Sequence, residues 1–248
     1  MSEPVAPSTL PPVVILAGGF GTRIRHLLPD RPKPMALVAG RPFVEWVVRF
    51  FARHGAREFI LSTGFLAEMV ADHFARHPVP GAHVTCRRET TPLGTAGGFL
   101  NCVPAQPGAR DTWLVVNGDS LVFANPHSML VPLREGRADA ALLGLALADA
   151  SRYGTLDCDA AGRLVAFREK KSGAGVINTG VYALTGAALG GLPATRPLSF
   201  ETEVFPKLAA TSRVTVAPTT ALFLDIGTPA SLAEAEHFIT QNQQEFLP

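Results

Sequence analysis

The sequence predicts an α/β fold, a single Rossmann-like domain around a mixed, mostly parallel central sheet. Short runs of consecutive apolar residues alternate with segments whose apolar residues recur at helical spacing, and this alternation is typical of βαβ units. Several apolar runs end directly at turns that contain glycine or polar residues. The chain has 248 residues, 47% of them hydrophobic, which is enough for one domain with a sizeable core.

The first half of the chain predicts strands and helices in turn. Residues 13–17 are all apolar without alternation, which indicates a strand buried on both faces. Residues 43–51 place apolar side chains on one helix face, with Pro42 suited to the first turn and Gly55 to the end. The same criteria predict strands at 58–63, 83–88 and 113–116, and helices at 66–76 and from about residue 95.

The second half predicts more strands than helices. Residues 153–157 and 163–168 flank Asp159-Ala160-Ala161-Gly162, a hairpin signal. Apolar runs predict further strands at 138–148, 176–184 and 222–224, and helical spacing predicts helices at 200–210 and 229–241.

Composition and charge exclude several classes of function. A formal net charge of +1 gives no reason to expect a surface for nucleic acid or membrane. No uninterrupted apolar stretch of 18 residues occurs, and the first twelve residues lack the pattern of a signal peptide. The three cysteines and seven histidines show no metal-ligand spacing; His73 and His77 fit a helix end better than a metal site. Free, buried thiols and a cytoplasmic location are therefore expected.

A glycine-rich loop follows the first strand and predicts a polyphosphate site. Gly18, Gly19 and Gly21 allow backbone N–H groups to approach an anion, and Arg23 can bind phosphate through its planar fork. Prolines on both sides of Lys33 restrict the backbone that carries its ammonium group. The alternative is a tight turn with surface cations.

Two aspartates follow short apolar strands and predict a magnesium site. Asp119 ends the strand at 113–116 and Asp225 ends the strand at 222–224, where open α/β sheets place their ligands. Carboxylate and phosphate oxygens are ligands that Mg²⁺ prefers. Each aspartate has an alternative as a helix cap, for Asp225 at the helix that begins near Pro229.

Six motifs in order resemble the sugar-1-phosphate nucleotidyltransferases over residues 13–240. That family joins a nucleoside triphosphate to a sugar 1-phosphate and releases pyrophosphate. The resemblance implies the nucleotide-diphospho-sugar transferase type of fold, Mg²⁺ as cofactor, and those two molecules as binding partners. The motifs are Leu16-Ala17-Gly18-Gly19-Phe20-Gly21-Thr22-Arg23 with Pro32-Lys33-Pro34, Pro92-Leu93-Gly94-Thr95-Ala96-Gly97, Asn117-Gly118-Asp119, Phe167-Arg168-Glu169-Lys170, Ile177-Asn178-Thr179-Gly180-Val181-Tyr182 and Asp225-Ile226-Gly227-Thr228-Pro229.

The resemblance also implies a role for individual residues. Arg23 would face the leaving pyrophosphate, Lys33 the α-phosphate, and Lys170 the attacking sugar phosphate, with Lys171 able to substitute in part. Asp119 and Asp225 would hold the metal. The nucleotide would contact Leu16, Ala17, Gly18, Gly19, Gly21, Thr22, Glu89, Pro92, Gly94 and Thr95, and the sugar would contact Gly118, Glu169, Lys170, Asn178 and Thr179.

The sugar-binding assignments keep their alternatives. Glu169 could instead pair with Arg168 or Lys170 at a solvated edge, and Asn178-Thr179-Gly180 could instead form a bulge in a strand. Tyr182 is expected in the core.

Glu89 stands where the family places a residue that reads the base. Guanine presents N1–H and N2–H₂ as adjacent donors, and an ionised carboxylate can accept both. Uracil and thymine offer one donor between two acceptors, which suits an amide better. Glu89 therefore favours guanine, unless it pairs with Arg87 or Arg88.

The segment FREKKSGAGVINTGVY at 167–182 is similar to that of bacterial heptose 1-phosphate guanylyltransferases, and so is Ser199-Phe200-Glu201-x-Glu203. Those enzymes make GDP-D-glycero-D-manno-heptose for capsules or surface layers. Three alternatives stay open: mannose 1-phosphate with GTP, N-acetylmuramate 1-phosphate with UTP, and a catalytically silent copy. A homodimer is also left open.

The domain organisation expected from these patterns is simple. A mobile lead-in at 1–12 precedes one domain at 13–241, and 242–248 form a tail. Residues 13–120 would be the nucleotide-binding half and 121–230 the sugar-phosphate half. No hexapeptide repeat follows residue 230, so the C-terminal β-helix of larger relatives is not expected.

Overall fold

A central sheet with helices on both faces organises the protein. The computed structural model describes residues 9–19, 21–109, 111–168, 172–190, 192, 197–211 and 213–247. In these segments the strands are β1 (Val13–Ala17), β2 (Leu37–Val38), β3 (Arg41–Pro42), β4 (Glu58–Thr63), β5 (His83–Arg88), β6 (Thr112–Asn117), β7 (Ser120–Val122), β8 (Ala140–Leu147), β9 (Thr155–Cys158), β10 (Leu164–Arg168), β11 (Gly175–Thr185), β12 (Val214–Thr219) and β13 (Phe223–Asp225).

The helices connect these strands. They are α1 (Phe43–Arg53), α2 (Ala67–Arg76), α3 (Gly94–Leu100), α4 (His127–Arg134), α5 (Gly186–Leu189), α6 (Phe205–Ala209) and α7 (Pro229–Gln241). A π-helical turn at Phe200–Val204 leads into α6, and short 3₁₀ turns lie at Arg25–Leu27, Lys33–Met35 and Gln243–Phe246.

Nine strands form the main sheet, in the order β10-β9-β11-β6-β1-β4-β5, with β8 paired to β11 and β12. The four strands β6, β1, β4 and β5 run parallel, and β12 runs parallel to β8. The long strand β11 runs antiparallel to β6, β8 and β9, and so joins the second half of the chain to the first. The predicted mixed α/β sheet is confirmed, with three of its parallel strand pairs in the first half of the chain and the pair of β8 with β12 in the second.

Strand β1 is apolar throughout because the sheet is covered on both faces at this position. Val13 and Ile15 belong to the core on one face of the sheet, whereas Val14 belongs to the core on the other face. All three are completely buried. Because successive side chains of a strand point to opposite faces, a strand covered on both sides needs apolar residues at every position.

Some elements were missing from the sequence-based expectation. Strand β7 has only three residues, β12 contains Pro218, and α4 contains Pro132. Proline weakens both helix and strand signals, although Pro218 is tolerated because the second contact of β12, a bridge to Arg163, is made at Thr215 and not at the proline. The cysteines are free as expected, but Cys158 is exposed rather than buried.

The two ends of the domain are more closely packed than expected. Residues 1–8 of the proposed lead-in lie outside the described residues, whereas Leu10 is buried and its amide donates to the carbonyl of Gly55. At the other end, the expected tail forms a 3₁₀ turn, and Phe246 packs edge-on against Trp46 and Phe123. Apolar side chains therefore attach both segments to the core. Among the described residues, no helix has the length and apolar character needed to span a bilayer.

A buried carboxylate joins α1 to α2. The side chain of Glu45 is 1% exposed and accepts hydrogen bonds from Arg41 (2.7 Å) and Arg49 (2.8 Å), and it contacts His73 Nε2 (2.8 Å). Burial alone would raise the pKa of Glu45, but the hydrogen bonds from Arg49 and His73 outweigh burial and hold the pKa below its ordinary value.

Replacing Glu45 should test this cluster. We expect Glu45→Gln to lower the free energy of unfolding by about 3 kcal/mol, because two arginines lose their buried counter-charge. Since the folded pKa of Glu45 lies below the ordinary value of 4.5, the stabilisation is complete above that pH and is lost as the pH falls through the folded pKa. Urea unfolding from pH 3 to 7 measures both effects.

Glu68→Gln is the matched control, because the exposed Glu68 on α2 pairs with the exposed Arg88. Loss of the exposed pair between Glu68 and Arg88 should lower the free energy of unfolding by no more than about 1 kcal/mol. Equal losses in the two variants would contradict the role given to Glu45.

Candidate active site

A cleft of about 420 Å³ opens at the carboxyl ends of the parallel strands. The loop after β1, the segment after β5 and the turn after β6 all border it, as expected for an open α/β sheet. Twelve of the residues assigned from the sequence line this cleft. The lining residues are Leu16, Gly18, Gly19, Gly21, Thr22, Arg23, Lys33, Pro34, Glu89, Pro92, Gly94, Thr95, Asn117, Asp119 and Gly227.

The glycine loop and the proline-flanked lysine meet as the sequence predicts. Gly21 has a positive φ of 57°, and a Cβ atom at this position would lie 2.8 Å from Lys33 Cβ. The close approach keeps the Lys33 backbone beside the loop. Arg23 is exposed at the cleft, whereas the Lys33 side chain is only 10% exposed. The site therefore has one exposed cation, Arg23, and one largely buried cation, Lys33.

Opposite charges converge around Gly227. Lys33 Nζ donates to Asp119 Oδ2 at 2.5 Å. A Cβ atom on Gly227 would collide with Asp225 Oδ1 and would lie 3.3 Å from Arg23 Nη2 and 3.4 Å from Lys33 Nζ. Both predicted aspartates and both predicted cations are thus brought to one side of the cleft.

A short ladder between β7 and β13 places the aspartates next to each other. Asp225 is paired with Ser120, and the Ile226 amide donates to the Asp119 carbonyl at 3.0 Å. Neither aspartate caps a helix: Asp119 precedes β7, and the N-cap of α7 is Thr228. The alternative as helix caps is therefore wrong for both.

The donor set at this position suits Mg²⁺. Two carboxylates with phosphate oxygens and water are its usual ligands, and the site needs no third protein ligand. Among the described residues, no group of three or more histidine, cysteine, aspartate and glutamate side chains lies close enough for a metal. Asp119 and Asp225 are the residues that would hold the ion.

Two residues that sequence reasoning missed surround Asp225. The Tyr153 hydroxyl donates to Asp225 Oδ2 at 2.6 Å, and Arg152 Nη2 lies 3.3 Å from the same oxygen. Burial, and then the hydrogen bond to Asp225, raise the pKa of Tyr153, so the phenol stays protonated and donates. The loop between β8 and β9 thereby reaches Asp225.

Glu89 does not pair with the neighbouring arginines. Its carboxylate accepts from Ser62 Oγ (2.7 Å) and from the Leu93 amide (3.1 Å), whereas Arg88 pairs with Glu68. The alternative in which Arg87 or Arg88 neutralises Glu89 is not found among the described contacts. Within the described part of the chain, the Glu89 carboxylate therefore lies beside the cleft with no ion pair.

The start of α3 is bound to the second half of the chain. Thr95 Oγ1 donates to Glu201 Oε2 (2.7 Å) and accepts from the Phe200 amide (2.9 Å). The Tyr182 hydroxyl donates to the other oxygen of Glu201 (3.3 Å), and Asn178 Nδ2 donates to Tyr182 (2.7 Å). Tyr182 is fully buried, as predicted. One network of hydrogen bonds thus connects Thr95 with Asn178.

Several other assigned residues do not line the cleft. The Gly118 amide donates to the Leu16 carbonyl, and Ala17 is buried. The Thr179 side chain is 2% exposed and donates to the Leu143 carbonyl, and its assignment to the sugar site stays a prediction. Glu169, Lys170 and Lys171 lie outside the described residues, and their assignments stay predictions.

The bulge considered for Asn178 is present. The pairing register of β11 with β8 shifts between Asn178 and Tyr182, and Gly180 has a positive φ of 78°. Asn178 Oδ1 accepts from the Gly180 amide at 3.1 Å. Because Asn178 already bonds within the bulge, a role in binding sugar stays a prediction.

A signal for some of the missed residues is present in the sequence. Asn117 and Gly227 belong to motifs already noted, next to Asp119 and Asp225. Ser62 is the first polar residue after the apolar run of β4. No comparable signal marks Arg152 or Tyr153, because their position depends on the path of a loop.

The comparison with known proteins agrees with this geometry. The nucleotidyl transferase family matches the chain over residues 12–242. A D-glycero-alpha-D-manno-heptose 1-phosphate guanylyltransferase from Campylobacter jejuni is 30% identical over 92% of this chain and 99% of its own length. A mannose-1-phosphate guanylyltransferase from Mycobacterium tuberculosis is 35% identical over 79% of this chain, which spans 55% of that protein.

Solved structures show the same fold. HddC from Yersinia pseudotuberculosis, crystallised with GMP-PN, superposes with a TM-score of 0.78 at 31% identity, covering 93% of this chain and 100% of that one. The inositol-1-phosphate CTP transferase of T. maritima shares the fold with a TM-score of 0.76 at 20% identity, covering 96% of this chain and 99% of that one. Sequence pattern, fold and the composition of the cleft agree, and the chain belongs to the nucleotidyl transferase family as an enzyme of the sugar-1-phosphate nucleotidyltransferase type.

Proposed function

We propose that this protein is a guanylyltransferase that joins GTP to D-glycero-D-manno-heptose 1-phosphate, giving GDP-heptose and pyrophosphate. The product would serve the synthesis of a capsule or another surface polysaccharide. The observation that carries the choice of base is the Glu89 carboxylate, which lies at the cleft and has no arginine partner among the residues that the structure describes. Two carboxylate oxygens match the two adjacent donors of guanine.

The choice of sugar is supported by relatives that the chain covers almost completely. The heptose 1-phosphate guanylyltransferases of Campylobacter jejuni and Aneurinibacillus thermoaerophilus are matched over 99% and 96% of their length. Mannose 1-phosphate is the second candidate, because the mycobacterial relative is the more similar in identity, at 35%. The match covers only 55% of that relative's length, however, so the 35% identity describes about half of that protein.

The reaction depends on positioning the two substrates and on neutralising phosphate charge, and it needs little covalent participation by the protein. An oxygen of the sugar phosphate attacks the α-phosphorus of GTP, the new P–O bond forms, and the bond to the β-phosphate oxygen breaks to release pyrophosphate. Arg23 would bind the departing pyrophosphate, and the confined Lys33 would neutralise charge on the α-phosphate. Mg²⁺ held by Asp119 and Asp225 would supply further positive charge when bound.

The attacking sugar phosphate needs a cation of its own, and Lys170 is proposed for that role. The charged groups around Gly227 argue against a catalytically silent copy. Such a copy would be expected to have lost Arg23, Lys33 or one aspartate, and all of these are in place.

A substrate panel tests the proposal directly. Purified protein is incubated with Mg²⁺, each of GTP, UTP, CTP, ATP and dTTP, and each of three sugar 1-phosphates: the heptose, mannose and N-acetylmuramate. We expect the fastest pyrophosphate release with GTP and the heptose 1-phosphate. Faster release with mannose 1-phosphate would favour the second candidate, and no release with any pair would refute the enzyme assignment.

Arg23→Ala should lower kcat by about a hundredfold or more, because a cation that faces the leaving group is removed. The melting temperature should not change, since Arg23 is exposed. Arg25→Ala is the control: its guanidinium lies 5.0 Å above the Phe65 ring and does not line the cleft. Equal activity of the two variants would exclude Arg23 from the reaction.

Asp225→Asn should raise the Mg²⁺ concentration for half-maximal activity by about tenfold or more, because one of two charged ligands is lost. Mn²⁺ binding followed by electron paramagnetic resonance gives an independent measurement. The exposed Asp72, which pairs with Arg76 on α2, provides the control variant Asp72→Asn. An unchanged metal dependence would remove Asp225 from the metal site.

A further inference from the structure

A narrow slot holds the Glu89 carboxylate. A Cβ atom on Gly18 or on Gly98 would lie only 2.7 Å from Glu89 Oε1. The carboxylate thus fits between two glycines, one in the loop after β1 and one in α3. Any larger residue at either position would displace it. We call the space between Gly18, Gly98 and Ser62 the Glu89 slot.

Ser62 forms the buried end of this slot. Its side chain is completely buried in β4, and Oγ donates to Glu89 Oε1 at 2.7 Å. Other hydroxyls of the neighbouring strands bond to the backbone instead: Thr63 donates to the Arg87 carbonyl and Thr85 to the Phe59 carbonyl. Ser62 therefore differs from these threonines in having a side-chain carboxylate as its partner.

The two donors to Glu89 fix the plane of its carboxylate. Ser62 Oγ occupies one acceptor direction of Oε1, and the Leu93 amide occupies one direction of Oε2 at 3.1 Å. Each carboxylate oxygen has about two such directions. Each oxygen can therefore accept one further hydrogen bond, and a pair of such acceptors would match a base edge with two adjacent donors.

The neighbour of Ser62 adds no competing charge. Burial raises the pKa of the Cys102 thiol to about 12, so this thiol is neutral at physiological pH. Ser62 can then donate its proton to Glu89 and still accept a weak hydrogen bond.

We propose that Ser62 is a positioning residue for base selection, which holds Glu89 so that both carboxylate oxygens face the N1–H and N2–H₂ edge of guanine. The inference rests on the proposed use of GTP. Ser62 has no contact with the base in this arrangement and acts only through Glu89. Loss of its hydroxyl frees Oε1 to turn within the slot, and the paired arrangement of acceptors is lost.

A comparison of GTP with ITP measures this effect, because inosine keeps N1–H and lacks the 2-amino group. The ratio of kcat/KM for GTP to that for ITP reports how well Glu89 meets both donors. We expect Ser62→Ala to lower this ratio by about tenfold, mainly through a higher KM for GTP. The kcat for GTP should change less than twofold, because the reacting phosphates lie by Arg23 and Lys33.

Thr63→Val is the matched control. It removes the next hydroxyl of the same strand, which is equally buried and bonds to the Arg87 carbonyl. The control should keep the GTP to ITP ratio of the parent protein. An equal fall of the ratio in both variants would indicate general loosening of β4 and would overturn the positioning role.

The double variant Ser62→Ala/Glu89→Gln shows whether Ser62 acts through Glu89. Glu89→Gln alone should remove most of the preference for GTP, because an amide cannot accept from both donors. Adding Ser62→Ala should then change the ratio no further. Losses that multiply in the double variant would overturn the inference.

The outcomes separate this inference from the proposed function. A parent protein that prefers GTP, with a Ser62→Ala variant of unchanged ratio, would overturn the role of Ser62 and leave the function standing. A parent protein that does not prefer GTP over other nucleotides would overturn the proposed function, and the inference with it.

Discussion

The ion pair between Lys33 and Asp119 is the constraint on which the site depends. It joins two segments that lie 86 residues apart, at 2.5 Å, with the lysine largely buried. The pair gives the Asp119 carboxylate a positive partner close to a second carboxylate, that of Asp225. It also keeps the lysine extended towards the place where those charges meet. The packing of Gly21 against Lys33 and the bend at Gly227 both serve this contact.

The parallel strands, the glycine loop and the two aspartates could be predicted because their signals are local. The position of the Thr179 side chain could not be predicted, because the bulge at Gly180 interrupts the alternation of side chains along β11 and leaves the Thr179 hydroxyl against β8. The residues that form hydrogen bonds with Glu89 and Asp225 could not be predicted from the sequence either. Ser62 lies 27 residues from Glu89, and Tyr153 lies 72 residues from Asp225, so only the folded chain brings them together.

Hydrogen bonds between the two halves of the chain hold the segments around the cleft in fixed positions relative to each other. Glu201 accepts from Thr95 on one side and from the buried Tyr182 on the other. A buried network of this kind is rigid when each member has a partner, and the cost of leaving one member unpaired is high. The start of α3 and the bulge of β11 are therefore held in a fixed relation before any ligand is bound. This agrees with a reaction that depends on positioning.

The antiparallel contact of β11 with β6 has a consequence for protein engineering. Exchange of the second half between relatives is an obvious route to a new sugar specificity. The exchanged piece, however, would carry β11, which pairs with β6 over five residue positions, as well as Asp225 and Tyr153. A chimera made at residue 120 would thus combine β11 of one protein with β6 of another in the middle of the sheet, and would place a foreign Asp225 beside the native Asp119. Grafts confined to the β8–β9 loop and the segment before β11 would leave the pairing of β11 with β6 intact.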